Sequence, residues 1–148
     1  MQERVPEPEL MDGPAQARAY AEADFRDVNA GFVAGFAARF PDLGPAPAIL
    51  DLGCGPGDIP VRLGRALPGA RITAVDGAPA MAAYAEAAVA AAGLESRIRV
   101  VTAGLRQLSP PRRPFDAVVS NSLLHHLHDP AVLWHALPRQ GAPGTAVY

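Results

Sequence analysis

An apolar run that breaks into a glycine-rich turn constrains this chain more than any other feature. The segment reads Ala48-Ile-Leu-Asp-Leu-Gly-Cys-Gly-Pro-Gly-Asp58. Residues 48–52 form a short buried-strand pattern. Glycines at 53, 55 and 57 allow a sharp bend and a close approach of the backbone to a ligand, with no Cβ in the way. The stretch 58–67 then places Ile59, Leu63, Ala66 and Leu67 on one face, which predicts a helix. The first N–H groups of such a helix are unpaired and partly positive, and they suit a carboxylate or a phosphate.

The remainder alternates in the same way. Strands are predicted at 71–75, 98–102, 115–120 and 145–148. Between the first two lies an alanine-dense stretch, 78–92, whose Met81, Tyr84, Ala85, Ala88, Val89 and Ala92 recur at helical spacing. Pro79 suits its first turn and Gly93 its stop. Asp129 and Pro130 open a further helix reaching about 137. Strands separated by helices imply an α/β fold: a parallel sheet of about five strands, joined by right-handed crossovers, with helices on both faces. Ahead of the sheet, 15–40 is expected to be helical, with Tyr20, Phe25, Val28, Phe32, Phe36 and Phe40 as an apolar stripe. Two units are therefore expected: a helical lid or cover over 1–40, and a binding domain over 41–148.

Composition narrows the chemistry. The chain has 148 residues, 49% of them hydrophobic, which suits one globular domain. A net charge of −2 gives no bulk attraction to nucleic acid, and no apolar run approaches the roughly 20 residues of a bilayer span. The segment 1–14 is charged and proline-rich, unlike a secretory leader. The chain's single cysteine points to a reducing compartment, so a cytoplasmic location is expected. All 13 basic residues are arginine, which excludes a Schiff-base lysine and a phosphate loop ending in Gly-Lys.

The turn also fails the dinucleotide pattern Gly-x-Gly-x-x-Gly. Counted from Gly53 the last position is Asp58, and counted from Gly55 it is Pro60. An acid at Asp58 would repel a pyrophosphate. A ligand that carries an ammonium beside its carboxylate fits better, with Asp51 at the strand end to receive it. Asp51-Leu-Gly-Cys-Gly-Pro-Gly57 resembles motif I of the class I S-adenosylmethionine-dependent methyltransferases. Ile72-Thr-Ala-Val-Asp76, with its acid 23 residues past Gly53, resembles motif II, and the segment from Phe115 to Leu127 is similar to the motif IV region. The opening segments 4–11 and 19–25 look like the N-terminal lid of some small members.

The resemblance implies S-adenosyl-L-methionine as cofactor and the following roles. Gly53, Cys54, Gly55 and Gly57 would border its methionine part, and Asp51 would help hold the amino group. Asp76 would accept from both ribose hydroxyls, since one carboxylate can serve two neighbouring O–H groups. Gly77 and Met81 would flank the adenine. The third strand departs from the family pattern: Thr102-Ala-Gly-Leu-Arg106 has no acid, so the adenine falls to the backbone of Ala103, Gly104 and Leu105. Asn121 and Ser122 follow the fourth strand, across the switch point where open parallel sheets bind ligands. A nucleophilic role for Cys54 is disfavoured against that of a small apolar filler.

His125, His126, His128 and His135 lack the acidic partners of a metal site, and no metal is expected. His125 or His126 is the candidate catalytic residue, orienting the acceptor or taking its proton. The implied reaction is methyl transfer to a small-molecule acceptor. A catalytically silent binding module is the alternative, and a nicotinamide oxidoreductase is disfavoured by the glycine count. The resemblance implies a Rossmann-like sheet with strand order 3-2-1-4-5. The full family domain has seven strands, so this chain is expected to lack the last two and to be a fragment, or a minimal domain whose open edge is covered by a partner or a second copy.

Overall fold

A computed structural model describes residues 13–148. The lid resemblance over 4–11 lies outside the described residues. Five parallel strands form one sheet: β1 (Ala48–Leu52), β2 (Arg71–Asp76), β3 (Ile98–Thr102), β4 (Ala117–Val119) and β5 (Ala146–Val147). Their order is β3-β2-β1-β4-β5, as expected. Leu50 of β1 lies between Thr73 of β2 and Val118 of β4, so the strand leading to the glycine turn is central.

Among the described residues five α-helices accompany the sheet: α1 (Pro14–Glu22), α2 (Arg26–Arg39), α3 (Asp58–Ala66), α4 (Pro79–Ala91) and α5 (Ala131–Gln140). Neighbouring strand residues point to opposite faces, and both faces are buried. Ile49, Ile72, Ala117 and Val119 pack with Phe36 of α2, Leu63 of α3 and Val89 of α4. Leu50, Leu52, Val75 and Val118 pack on the other face with Leu127 and Leu133.

Several boundaries differ from the sequence expectation. The region 15–40 is two helices, because Asp24 takes the N–H of Arg26 at 3.2 Å, a local bond that competes with helical continuation. Paired β4 is shorter than 115–120, β5 is shorter than 145–148, and β2 runs one residue further, where Asp76 pairs with Thr102. Helix α5 continues through Pro138 to Gln140: the proline removes one N–H donor, but Gly141 N–H still reaches Leu137 O at 3.0 Å. The N-cap of α5 is Pro130 rather than the expected Asp129, which stands one residue earlier and accepts Ala131 N–H at 3.0 Å.

The aromatic stripe divides between two roles. Phe32, Phe36 and Phe40 of α2 surround Tyr148 just past β5, with ring centroids 4.9, 5.8 and 6.2 Å away. This half covers the sheet. Tyr20, Phe25 and Val28 instead face the cavities described below.

Arg97, just before β3, closes the other end of the sheet. Its guanidinium donates to Gly64 O at 2.8 Å, Ala70 O at 3.2 Å and Leu67 O at 3.4 Å, so it satisfies carbonyls at the end of α3 and in the following loop. Arg97→Ala orphans these acceptors and removes a cation from a helix C-terminus. The expected cost is about 2 kcal/mol, read as a lower urea midpoint with an unchanged slope. Lysine is expected to restore only part of it, because a point charge cannot reach three carbonyls at once.

Candidate functional site

The glycine turn is held by the strand beside it. Gly53 N–H and Cys54 N–H both donate to Val75 O, at 2.8 and 2.9 Å. Gly53, Gly55 and Gly57 have φ of +74°, +54° and +95°, a region that side chains resist. The next residue of β2, Asp76, ties the turn from its carboxylate. Its Oδ2 accepts Gly55 N–H and its Oδ1 accepts Ala78 N–H, each at 2.9 Å. The acid after β2 therefore serves the backbone of two loops and still has lone pairs for a ligand.

Two cavities flank this turn at the carboxyl ends of the strands. The first has a volume of about 360 Å³. Gly53, Gly55, Asp76, Gly77 and Met81 line one side of it, and Ala103, Gly104 and Leu105 line another. The second, about 310 Å³, takes in Asp51, Cys54, Asp58 and Asn29, with Phe25 and Val28 as apolar wall. Gly53, Gly55, Asn121, Ser122 and Tyr20 border both, so the cavities meet at the turn.

Most of the residues expected from the sequence are brought together here. Gly57 is placed elsewhere and lines neither cavity. A Cβ on it would stand 2.8 Å from Ala85 Cα, so its role is to let α4 pack against the turn. His126 is buried and borders the first cavity, whereas His125 is exposed and borders neither; their rings stand 4.0 Å apart. The sequence reading omitted Tyr20, Leu123, Leu127 and Val132 from the walls, and Arg106 and Gln107 after β3. Tyr20 stood in the aromatic stripe, which signals burial but not what is covered. Where an acid was missing after β3, Gln107 Oε1 accepts Gly104 N–H at 3.0 Å.

Burial sets the electrostatics. Asp51 is 1% exposed, and its Oδ2 has no hydrogen-bond partner among the described residues. Burial, then the nearby charge of Asp76, push its carboxyl up to about 8. Burial also raises Asp76, opposed by the N–H groups of Ala78 and Gly55 and by His126. Burial, then Asp51 and Asp76, push the Cys54 thiol far up, which keeps it protonated and removes it as a nucleophile.

These features fit an adenosylated amino acid. An unpartnered buried carboxyl calls for a cationic donor. A Cβ on Gly53 would press 2.8 Å from Leu123 Cδ1, a wall of the first cavity, and one on Gly55 would stand 3.7 Å from the Tyr20 ring. Among the described residues no His, Cys, Asp and Glu group could hold a metal, and no helix is long and apolar enough to cross a membrane.

Comparison with known proteins agrees with the geometry. A family model described as a methyltransferase domain matches residues 49–140. A trans-aconitate 2-methyltransferase of Streptomyces avermitilis is 40% identical over 88 residues, covering 59% of this chain and 32% of that protein. Its counterpart in Streptomyces coelicolor is 38% identical over 109 residues, covering 72% and 35%. The chain thus spans about a third of the length of these curated relatives. A methyltransferase from Geobacter sulfurreducens, solved with S-adenosyl-L-homocysteine, shares the fold at a TM-score of 0.71 and 19% identity, over 93% of this chain and 55% of that one. The cyclase SpnF shares it at 0.73 and 24% identity, over 86% and 46%. With its turn, its strand order and a matched domain covering most of its length, the chain belongs to the class I S-adenosylmethionine-dependent methyltransferase family.

Proposed function

We propose that this chain binds S-adenosylmethionine across the two cavities and serves an enzyme that methylates a small-molecule acceptor. The observation that carries the reading is Asp76: a half-buried carboxylate at the end of β2, clamped to the glycine turn and bordering the first cavity. Bound there, the cofactor supplies an electrophilic methyl group on a cationic sulfur. Asp76 accepts from the ribose hydroxyls. Met81 and Leu105 offer apolar contact to the adenine. Asp51 receives the ammonium of the methionine part from the side of the second cavity, beside the turn. The second cavity then takes the acceptor, with Tyr20 and Phe25, 5.3 Å apart between centroids, limiting water beside it. Binding and orientation do most of the work, and His126 is better placed than His125 to touch a ligand.

Calorimetry with S-adenosylmethionine and S-adenosylhomocysteine tests the cofactor, and saturable heat with both is expected. No heat at high micromolar ligand defeats the reading. An acceptor panel headed by trans-aconitate, the acceptor in the relatives' names, then tests methyl transfer. Tight binding with no transfer on any acceptor favours a silent module.

Asp51 makes the binding depend on pH. In the free chain its carboxyl is raised from 3.8 to about 8, so it is protonated at pH 7. Its contribution to stability is full below pH 4 and is lost as pH rises through 8. A bound ammonium needs the ionised form, so binding releases a proton. Affinity for S-adenosylhomocysteine is expected to rise with pH between 6 and 7.5, by up to about tenfold per unit. Asp51→Asn is expected to flatten that slope. Calorimetry in two buffers of different ionisation enthalpy counts the proton directly.

A further inference from the structure

We infer that Asn29 and Asp58 are positioning residues that turn the side-chain carbonyl of Asn121 toward the cavities, where it selects the α-amino group of the bound cofactor. The inference rests on the cofactor reading above. It starts from Asp58 at the first turn of α3, ion-paired with Arg62 at 2.8 Å. A carboxylate in that pair only accepts hydrogen bonds. Its Oδ2 takes the Nδ2–H of Asn29 from α2, also at 2.8 Å. Asn29 has thereby committed its donor end, and its Oδ1 is left to accept. Asn121 fills that position, donating from Nδ2 to Asn29 Oδ1 at 3.4 Å. The polarity of the whole chain is therefore dictated by its one charged acceptor.

The consequence lies at the far end. Asn121 borders both cavities, and with its Nδ2 engaged it has Oδ1 to offer a ligand. The Asp51 carboxyl, also without a partner on Oδ2 among the described residues, borders the same second cavity. Two oxygen acceptors next to one glycine turn suit an ammonium, which brings three donors and no acceptor. The three residues come from α2, α3 and the loop after β4, so the arrangement also couples the helical cover to the site. Were the amide reversed, an N–H would face the same ammonium and repel it.

The test compares S-adenosylhomocysteine with its analogue lacking the α-amino group, by calorimetry on the wild-type chain, Asn29→Leu and Asp58→Asn. The wild type is expected to prefer the amino compound by about 30-fold or more. Asn29→Leu breaks the relay at similar size and is expected to cut that preference about fivefold, leaving affinity for the analogue within about twofold. Asp58→Asn, on a half-exposed side chain, tests the same relay with little risk to folding, because an amide there can donate or accept and no longer sets the direction. A smaller loss of preference is expected from it. An unchanged preference in both variants, or an equal loss for both ligands, overturns the inference. Failure of the wild-type chain to bind S-adenosylhomocysteine instead overturns the cofactor reading, and the inference with it.

Discussion

Asp76→Ala is expected to bind S-adenosylhomocysteine about 100-fold or more weakly than the wild-type chain. Two ribose hydroxyls donating to one carboxylate contribute together roughly 3 kcal/mol or more, since hydrogen bonds to charged groups exceed neutral ones. At about 1.4 kcal/mol per tenfold, that is two decades in Kd. The same substitution orphans the N–H groups of Gly55 and Ala78, which now find Asp76 Oδ2 and Oδ1 at 2.9 Å. A fall in stability of roughly 2–4 kcal/mol is expected alongside. Asp76→Asn loses the charge and keeps one of the two accepting oxygens, so a smaller loss of both affinity and stability is expected from it. Removing the charge also removes the second cause of the high Asp51 carboxyl, so the pH dependence of binding in Asp76→Asn should move to lower pH. Calorimetry and thermal melting read both. A folded Asp76→Ala that binds within threefold of the wild type would show that this carboxylate is structural alone.

Gly57→Ala is expected to destabilise the chain by about 3 kcal/mol, a drop in Tm of about 10 °C. Two costs combine. With φ at +95°, a side chain at this position is strained by about 1–2 kcal/mol. The added Cβ also meets the backbone of α4, 2.8 Å from Ala85 Cα, where no rotamer change can relieve it. Overpacking of that kind adds about 1–3 kcal/mol. Gly44→Ala is the control. Its φ is +85°, but nothing lies within 4 Å of its Cβ, so only the strain remains. Equal melting temperatures for the two variants would show that α4 yields at no cost.

The architecture was legible because it depends on local patterns. Strand-and-helix alternation imposes parallel pairing with right-handed crossovers, while the order of the five strands was implied by the family resemblance of the glycine turn and the acid after β2. Boundaries were less legible where a side chain intervened. Asp24 broke the cover into two helices by bonding its neighbour's backbone, and Gly141 carried α5 past Pro138. Neither outcome shows in hydrophobic periodicity, which registers faces rather than single hydrogen bonds.

At the site, the sequence by itself determined the turn, the acids at 51 and 76 and the segment after β4, because each is a residue type at a fixed distance along the chain. It placed Gly57 among the ligand contacts, since spacing alone does not separate a glycine that faces a ligand from one that faces a helix. Only the tertiary structure decided that Gly57 meets Ala85, that His126 rather than His125 reaches a cavity, and that Asn29, Asp58 and Asn121 form one relay. Those outcomes depend on contacts between residues 28 to 92 positions apart, and such contacts exist only once burial has fixed the helices against the sheet.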